Sequence, residues 1–149
     1  MISVRHIDRT RIQEEPFIKM VKRYSKLEHD ILIVFDKRIS CFGMHTYDHV
    51  KQLHTIRISP LINVLNEKGT FLDEGAEKHN IISTLLHEIC HAQQREFLKQ
   101  SFQRYDYHTS RDIRNPEMAE YYSKCELEAR TYECENILDA VELYDSSCI

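Results

Sequence analysis

Residues 81–97 read IISTLLHEICHAQQREF, a stretch that places two histidines and a glutamate within an otherwise apolar segment. Its hydrophobic residues spread around nearly the whole circumference of a helix, which predicts a helix buried in the protein. His87 and His91 are four residues apart, so their rings leave the same helical face and can hold one ion. Glu88 lies about 100° further round the helix. The spacing supplies two metal ligands and an acid beside them.

Burial makes these polar groups costly unless something compensates them. Placing an ionisable Glu88 and two imidazoles in an apolar helix is unfavourable by several kcal/mol, and a metal ion is the usual compensation. The motif alone is weaker evidence for a metal site, because a chain with nine histidines carries HExxH by chance in roughly one case in twenty. The buried helical setting therefore favours a metal site over two ordinary core histidines in a metal-free protein.

The composition indicates one domain without a nucleic-acid or membrane surface. The chain has 149 residues, 42% of them hydrophobic, which is enough for one core, and we expect a single domain over residues 1–149. The formal charge of −4 comes from interspersed charges of both signs, which argues against nucleic-acid or membrane partners. No apolar run approaches membrane-spanning length, and the N-terminus lacks the apolar segment of a signal peptide.

Five cysteines, an odd number without a CxxC pair, indicate a reducing compartment rather than a disulfide framework. We therefore expect an intracellular, cytoplasmic protein. Cys90 lies inside the motif and Cys125 lies beside a candidate ligand, so a thiolate ligand is an alternative. The favoured interpretation of each is a buried thiol that packs as a small hydrophobic group.

The N-terminal half predicts a small sheet and one helix. Residues 55–59 (TIRIS) alternate like a strand and come just before the helix of His87 and His91, here called the metal helix, so we expect them at the sheet edge beside the site. An extended peptide can bind such an edge through main-chain hydrogen bonds. The other predicted elements are a strand over residues 2–7, a helix from Pro16 to near His29, and a hairpin of residues 31–35 and 38–42.

Three further histidines lie between the hairpin and the metal helix. His45 and His49 are also four residues apart, but no glutamate stands in an HExxH relation to them. His54 belongs to the alternating strand pattern. Exposed, non-ligating histidines are therefore favoured here over a second metal site.

The C-terminal half predicts two main helices. The metal helix follows a polar stretch, residues 70–80, and continues to about Phe102, with Gln94 returning to the ligand face. A short helix is expected over residues 60–68, and a polar loop over residues 103–114. Asn115-Pro116 then opens one long amphipathic helix that runs through Tyr144.

This last helix carries candidates for the third protein ligand that a catalytic zinc needs. Glu126, Glu128 and Glu133 all lie on it. Periodicity alone does not choose between Glu126 and Glu128, because each flanks the apolar stripe by a similar angle.

HEICH at residues 87–91, followed by CELEARTYE at residues 125–133 on a separate helix, resembles the gluzincin metallopeptidases. In that group the third ligand is a glutamate on a second helix, often in a segment Glu-x-Glu-Ala followed by Asp or Asn. The matching residues here are Glu126-Leu127-Glu128-Ala129, so the resemblance implies Glu126 as the ligand. Arg130 departs from the pattern, so the contact usually made from that position to a ligand histidine is unassigned.

The one-domain size and short spacing are most similar to minigluzincins and to small phage or bacterial metallopeptidase-like proteins. The resemblance covers about residues 55–133. It implies an α+β fold in which a small, mostly antiparallel sheet packs on the active-site helix and on a long C-terminal glutamate helix. An edge strand is expected above the cleft.

The function that follows is hydrolysis of peptide bonds by a zinc metallopeptidase, an endopeptidase rather than an exopeptidase, acting on a peptide or protein substrate. The expected zinc ligands are His87, His91 and Glu126, with Glu88 as general base and then general acid. Tyr122 and the loop residue His108 are candidate donors to the oxyanion. These assignments form the main hypothesis.

An alternative from another class keeps the metal and removes the catalysis. It is a catalytically silent, zinc-stabilised module for protein interaction or regulation. A purely structural zinc is expected to have four protein ligands, with Cys90 or Cys125 joining the site. Glu88 argues against this reading, because a structural site has no use for an acid beside its ligands.

Overall fold

The computed structural model describes residues 1–60, 74–97 and 116–149. The expected helix over residues 60–68, the end of the metal helix near Phe102 and the polar loop of residues 103–114 lie outside these ranges, apart from Pro60. In chain order the described elements are β1 (Ile2–His6), α1 (Glu14–Tyr24), β2 (Asp30–Phe35), β3 (Gly43–Asp48), β4 (Leu53–Ile58), α2 (Glu74–Phe97) and α3 (Pro116–Ser147). They form an α+β fold, as expected.

The four strands form one mixed sheet in the order β1-β2-β4-β3. The β1–β2 and β2–β4 pairs are parallel and the β3–β4 pair is antiparallel. The expectation of a mostly antiparallel sheet is therefore wrong. Helix α1 returns the chain to the end of the sheet where β1 began, and such a crossover produces a parallel pair.

The expected hairpin of residues 31–35 and 38–42 is also wrong, because a carboxylate holds the second segment in a turn. Asp36 accepts the backbone N–H of Arg38 at 2.9 Å and its guanidinium at 2.9 and 3.0 Å. The guanidinium of Arg57 on β4 lies 3.4 Å from the same carboxylate. These bonds satisfy the turn locally and leave β2 free to pair with β4.

The hairpin forms one strand later, between β3 and β4. Asp48 closes its turn by accepting the backbone N–H groups of Val50 at 2.9 Å and Lys51 at 3.1 Å. Strand β4 lies inside the sheet between β2 and β3, so the expectation that residues 55–59 form an edge is wrong. Among the described strands, β1 and β3 lie at the two edges. The strict alternation of buried and half-buried residues along β4 fits an internal strand with one covered face.

One face of the sheet and the helices enclose the core. Helix α2 contacts the sheet on one side and α3 on the other, which agrees with the apolar residues spread around its circumference. It begins at Glu74, so residues 74–80, part of the polar stretch expected before it, belong to the helix. The largest fully buried side chains of the core are Phe17, Met20, Ile33, Phe35, Ile56, Ile58, Ile81, Ile82, Leu85, Leu86 and Ile89.

Helix α3 begins at Pro116, as the sequence predicts, and runs to Ser147. Helix α1 is shorter than expected, since it ends at Tyr24 and its cap Ser25 has extended backbone angles. His29 therefore belongs to the connection between α1 and β2. None of the described helices is both long and apolar enough to cross a membrane.

Asp36→Asn is expected to destabilise the fold near neutral pH and to matter progressively less in acid. Arg38 lowers the pKa of Asp36 from 3.8 to about 2 through its side-chain and backbone hydrogen bonds, against the effect of burial. A lowered pKa adds stability above the unfolded value, and this stability is lost as the pH falls through the folded value. Urea unfolding between about pH 7 and pH 3 measures the difference between wild type and variant.

The exposed Asp139 on α3 supplies the control, because Asp139→Asn removes a carboxylate without this hydrogen-bonded turn. A stability difference for Asp36→Asn that stays constant down to the lowest pH would contradict the assignment of its cause.

Candidate metal centre

Helices α2 and α3 bring together the three ligands expected from the sequence. His91 Nε2 lies 2.8 Å from Glu126 Oε1, and His87 Nε2 lies 3.2 Å from Glu126 Oε2. One ligand atom from each residue lies within 4.8 Å of the other two. A tetrahedral zinc ion with bonds of about 2.0–2.2 Å places its ligand atoms roughly 3.3 Å apart. The two imidazoles and the carboxylate therefore fit such an ion.

The second nitrogen of His87 is held by a carboxylate from α3. His87 Nδ1 donates to Glu133 Oε2 at 3.2 Å, and the hydroxyl of Ser83 donates to the other oxygen of Glu133. This bond puts a proton on Nδ1 and orients the ring so that Nε2 faces Glu126. A hydrogen bond to the far ring nitrogen is the usual way in which proteins orient a histidine ligand.

The second nitrogen of His91 is held by an amide on its own helix. His91 Nδ1 donates to Gln94 Oε1 at 2.8 Å, and Gln94 Nε2 donates to the backbone carbonyl of Cys125 at 3.0 Å. Gln94 is 4% exposed, so both of its bonds form in the protein interior. The chain from His91 to the backbone of α3 fixes the ring and also joins the two helices.

Glu133 differs from its expected role, because it lies outside the candidate ligand group. It was one of three candidate ligands, whereas the structure places it on the far side of the His87 ring. It lies seven residues after Glu126, two helical turns on the same face, and that spacing is the signal that relates them. Arg130, four residues after Glu126, is exposed. Glu133, rather than residue 130, therefore makes the contact to the candidate ligand His87.

The electrostatics of the three residues favour a cation between them. The hydrogen bond to Glu126 raises the pKa of His87 despite burial. Burial lowers the pKa of His91, but the bond to Glu126 and nearby charges more than offset it. Their two hydrogen bonds lower the pKa of Glu126, so its carboxylate stays ionised. Groups that hold protons this way also attract a metal ion, which must displace those protons to bind.

Glu88 lies beside the ligands and is not one of them. It is 7% exposed, and burial raises its pKa although His91 and His87 oppose the shift. Within the described residues no protein group donates a hydrogen bond to its carboxylate. A buried carboxylate with a raised pKa is suited to accept and return a proton near neutral pH.

The edge strand β3 approaches Glu88 through a glycine. A Cβ placed on Gly43 would lie 2.5 Å from Thr84 Cγ2 and 3.2 Å from Glu88 Cγ. A side chain larger than hydrogen would have to displace the Thr84 methyl group. The strand backbone therefore contacts the helix directly beside the acid.

Tyr122, one turn before Glu126, lies near the ligands and is 43% exposed. Burial and then the carboxylates of Glu126 and Glu88 raise the pKa of its phenol. The other oxyanion candidate, His108, lies outside the described residues. Glu128, the rival to Glu126, points toward Cys90, with Oε1 3.9 Å from Sγ, and does not join the ligand group.

The two cysteines considered as ligands are not in this group either. Cys90 and Cys125 are buried free thiols. Burial, followed by the charge of Glu128, raises the pKa of Cys90 to about 12, and burial also raises the pKa of Cys125. Neutral thiols are poor zinc ligands. Among the described residues the site therefore offers three protein ligands and an adjacent acid.

Comparisons with protein families, with curated proteins and with solved structures find no significant match to this chain. What the site can do therefore follows from its own geometry. Two oriented imidazoles and a carboxylate leave one position of a tetrahedral ion open, which is the ligand count of catalytic rather than structural zinc.

Glu133→Ala is expected to weaken zinc binding about 10- to 100-fold, because His87 loses the partner that orients its ring. Competition with a chromophoric chelator measures the affinity. Glu135→Ala is the matched control, since Glu135 is an exposed glutamate two residues further along α3. Equal affinities for the two variants would show that Glu133 does not orient the ligand.

Proposed function

We propose that this chain is a zinc-dependent peptidase whose ion is held by His87, His91 and Glu126. The observation that carries the proposal is the meeting of both Nε2 atoms with the Glu126 carboxylate across α2 and α3. Zinc is proposed from the donor set, since two imidazoles and one carboxylate with an open position suit it. The resemblance of the two sequence motifs to gluzincins adds independent support.

The chemistry is assigned to this chain's own residues beside that ion. A bound zinc ion supplies the Lewis acidity that polarises a carbonyl group and lowers the pKa of water. Glu88 takes a proton from water as the water oxygen adds to the carbonyl carbon. Glu88 then passes the proton to the amine nitrogen as the carbon–nitrogen bond breaks. Its buried carboxylate is placed for both transfers.

Tyr122 is proposed to donate its phenolic hydrogen to the oxyanion. Its place one helical turn from Glu126, with the charges of Glu126 and Glu88 acting on its phenol, supports this role. The raised pKa keeps the phenol protonated, as a donor must be.

The substrate is proposed to bind as an extended peptide along β3, the strand that takes the place of the wrongly expected edge at residues 55–59. Ser59 N–H donates to Phe42 O at 2.9 Å, just beyond the β3–β4 ladder. Bonded pairs alternate along an antiparallel ladder, so the bonds from β3 to β4 fall on Met44, Thr46 and Asp48. The backbone groups of Gly43, His45 and Tyr47 then point to the open edge, where a peptide strand can pair.

Three features favour a peptidase over a catalytically silent zinc module. The described residues supply a group of three ligands rather than four, Cys90 and Cys125 stay outside that group, and no described group donates a hydrogen bond to Glu88. The five free thiols support a reducing compartment such as the cytoplasm as the place of action.

Zinc analysis of purified protein tests the ligand assignment. We expect Glu126→Ala to hold about one zinc ion per chain fewer than wild type, because a two-histidine remnant binds weakly. Glu128→Ala is the control, as it removes a neighbouring glutamate outside the ligand group. Full zinc retention in Glu126→Ala, with loss in Glu128→Ala, would reverse the assignment.

Cleavage of a mixed peptide library tests the role of Glu88. Glu88→Gln keeps the size of the side chain but removes the base, so we expect cleavage to fall by about 10²- to 10⁴-fold while zinc is retained. Mass spectrometry of the products measures the rate. If zinc-loaded wild type cuts no peptide in the library, the peptidase proposal fails and the interaction module becomes the better account.

Gly43→Ala is expected to destabilise the protein by about 1–3 kcal/mol and to lower cleavage, because the added methyl displaces Thr84 and the neighbouring Glu88. Met44→Ala is the control, since Met44 is 40% exposed on the other face of β3. Adding Thr84→Ser to Gly43→Ala removes the closest methyl group and should restore part of both losses. Thermal unfolding and peptide cleavage measure the two effects, and a harmless Gly43→Ala would refute the contact.

A further inference from the structure

A second group of ligating side chains lies under the C-terminal end of α2, apart from the site of His87 and His91. It consists of His29, which follows α1, His54 on β4 and Glu96 on α2, and is called here the His29 cluster. One ligand atom from each residue lies within 4.8 Å of the other two. Its residues come from three separate elements, so no local spacing in the sequence indicates it.

The distances within the His29 cluster match those around a small metal ion. His54 Nε2 lies 3.0 Å and His29 Nδ1 lies 3.4 Å from the same oxygen, Glu96 Oε1. Ligand atoms of a tetrahedral zinc ion are separated by roughly 3.3 Å. The hydroxyl of Tyr47 lies 2.8 Å from His29 Nδ1 and offers a fourth oxygen at the same place.

Backbone hydrogen bonds hold the carboxylate of Glu96 in place. Glu96 is 5% exposed, and its two oxygens accept the backbone N–H groups of Glu28 at 2.8 Å and His29 at 2.9 Å. Burial opposes ionisation, but these donors and His54 outweigh it and lower the pKa of Glu96. The cluster thus contains a fixed, ionised oxygen ligand facing two imidazoles.

His54 also has a partner on its far ring nitrogen, as ligand histidines do. His54 Nδ1 lies 2.8 Å from His45 Nε2. Without a metal, His54 donates from Nε2 to Glu96 and accepts from His45. With a metal on Nε2, the ion takes the place of the hydrogen bond to Glu96, and the bond to His45 persists if His54 carries its proton on Nδ1 and donates to His45. The neighbour therefore accommodates either state without a change of net charge on the two rings.

We propose that the His29 cluster binds a second divalent transition-metal ion, held by His29, His54 and Glu96, with Tyr47 as a fourth oxygen donor. Two imidazoles with oxygen ligands suit zinc and cobalt better than calcium or magnesium. The His29 side chain is 18% exposed while His54 and Glu96 are nearly inaccessible, so the ion enters past His29. Bound there, it joins the α1–β2 connection, β4 and the end of α2.

The test uses the double variant His87→Ala/His91→Ala, which removes the first site and leaves the His29 cluster intact. Equilibrium dialysis against Zn²⁺, followed by metal analysis, should give about one ion per chain for this variant. Adding His29→Ala should abolish that ion. Adding His79→Ala instead should leave it, because His79 is an exposed histidine of α2 outside both clusters.

Two further measurements on the double variant test the proposal if His29→Ala fails to fold. Co²⁺ added to the double variant should produce the visible absorption of a tetrahedral cobalt site, and Zn²⁺ should raise its melting temperature. A folded double variant that binds neither ion would overturn the proposal and leave the cluster as a hydrogen-bonded network. This outcome is independent of the peptidase proposal, which concerns only the site that the double variant removes.

Discussion

The structure depends on covering both sides of one helix. Helix α2 carries apolar side chains around most of its circumference, so no single surface can bury it. The sheet covers one side through residues such as Ile56 and Ile58, and α3 covers the other through residues such as Ala129. Because α3 must lie along α2 to do this, Glu126 faces the two histidines. The ligand geometry is thus a consequence of core packing.

Most of the buried polar side chains on α2 have hydrogen-bond partners. Ser83 and His87 are bonded to Glu133, His91 to Gln94, and Gln94 to the backbone of α3. Glu96, at the far end of the helix, is bonded to two backbone N–H groups and to His54. Glu88 differs from all of these, since no described protein group donates to it. Glu88 is therefore a buried carboxylate of α2 that no described group binds, and it lies beside the candidate ligands.

Local patterns in the sequence predict most of the helices and strands and place His87 and His91 on one helical face, but they do not choose between Glu126 and Glu128 or identify the pairing partners of the strands. The alternation along residues 55–59 correctly predicts a strand, yet period two does not say whether a strand is internal or at an edge. Asp36 ended the expected hairpin through contacts with Arg38 and Arg57 that no periodicity encodes. The bond from Glu96 to His29 spans 67 residues, so spacing along the chain could not reveal it.

The direct contact of the Gly43 backbone with α2 has a consequence for selectivity, if the chain cuts peptides as proposed. A peptide paired with β3 would be located by main-chain hydrogen bonds, and each residue advances it by about 3.4 Å. Pairing repeats only every second residue, so a slip carries the chain past Glu88 in steps of roughly 7 Å. The register of the peptide along β3, rather than the identity of its side chains, would then select the peptide bond that lies beside Glu88.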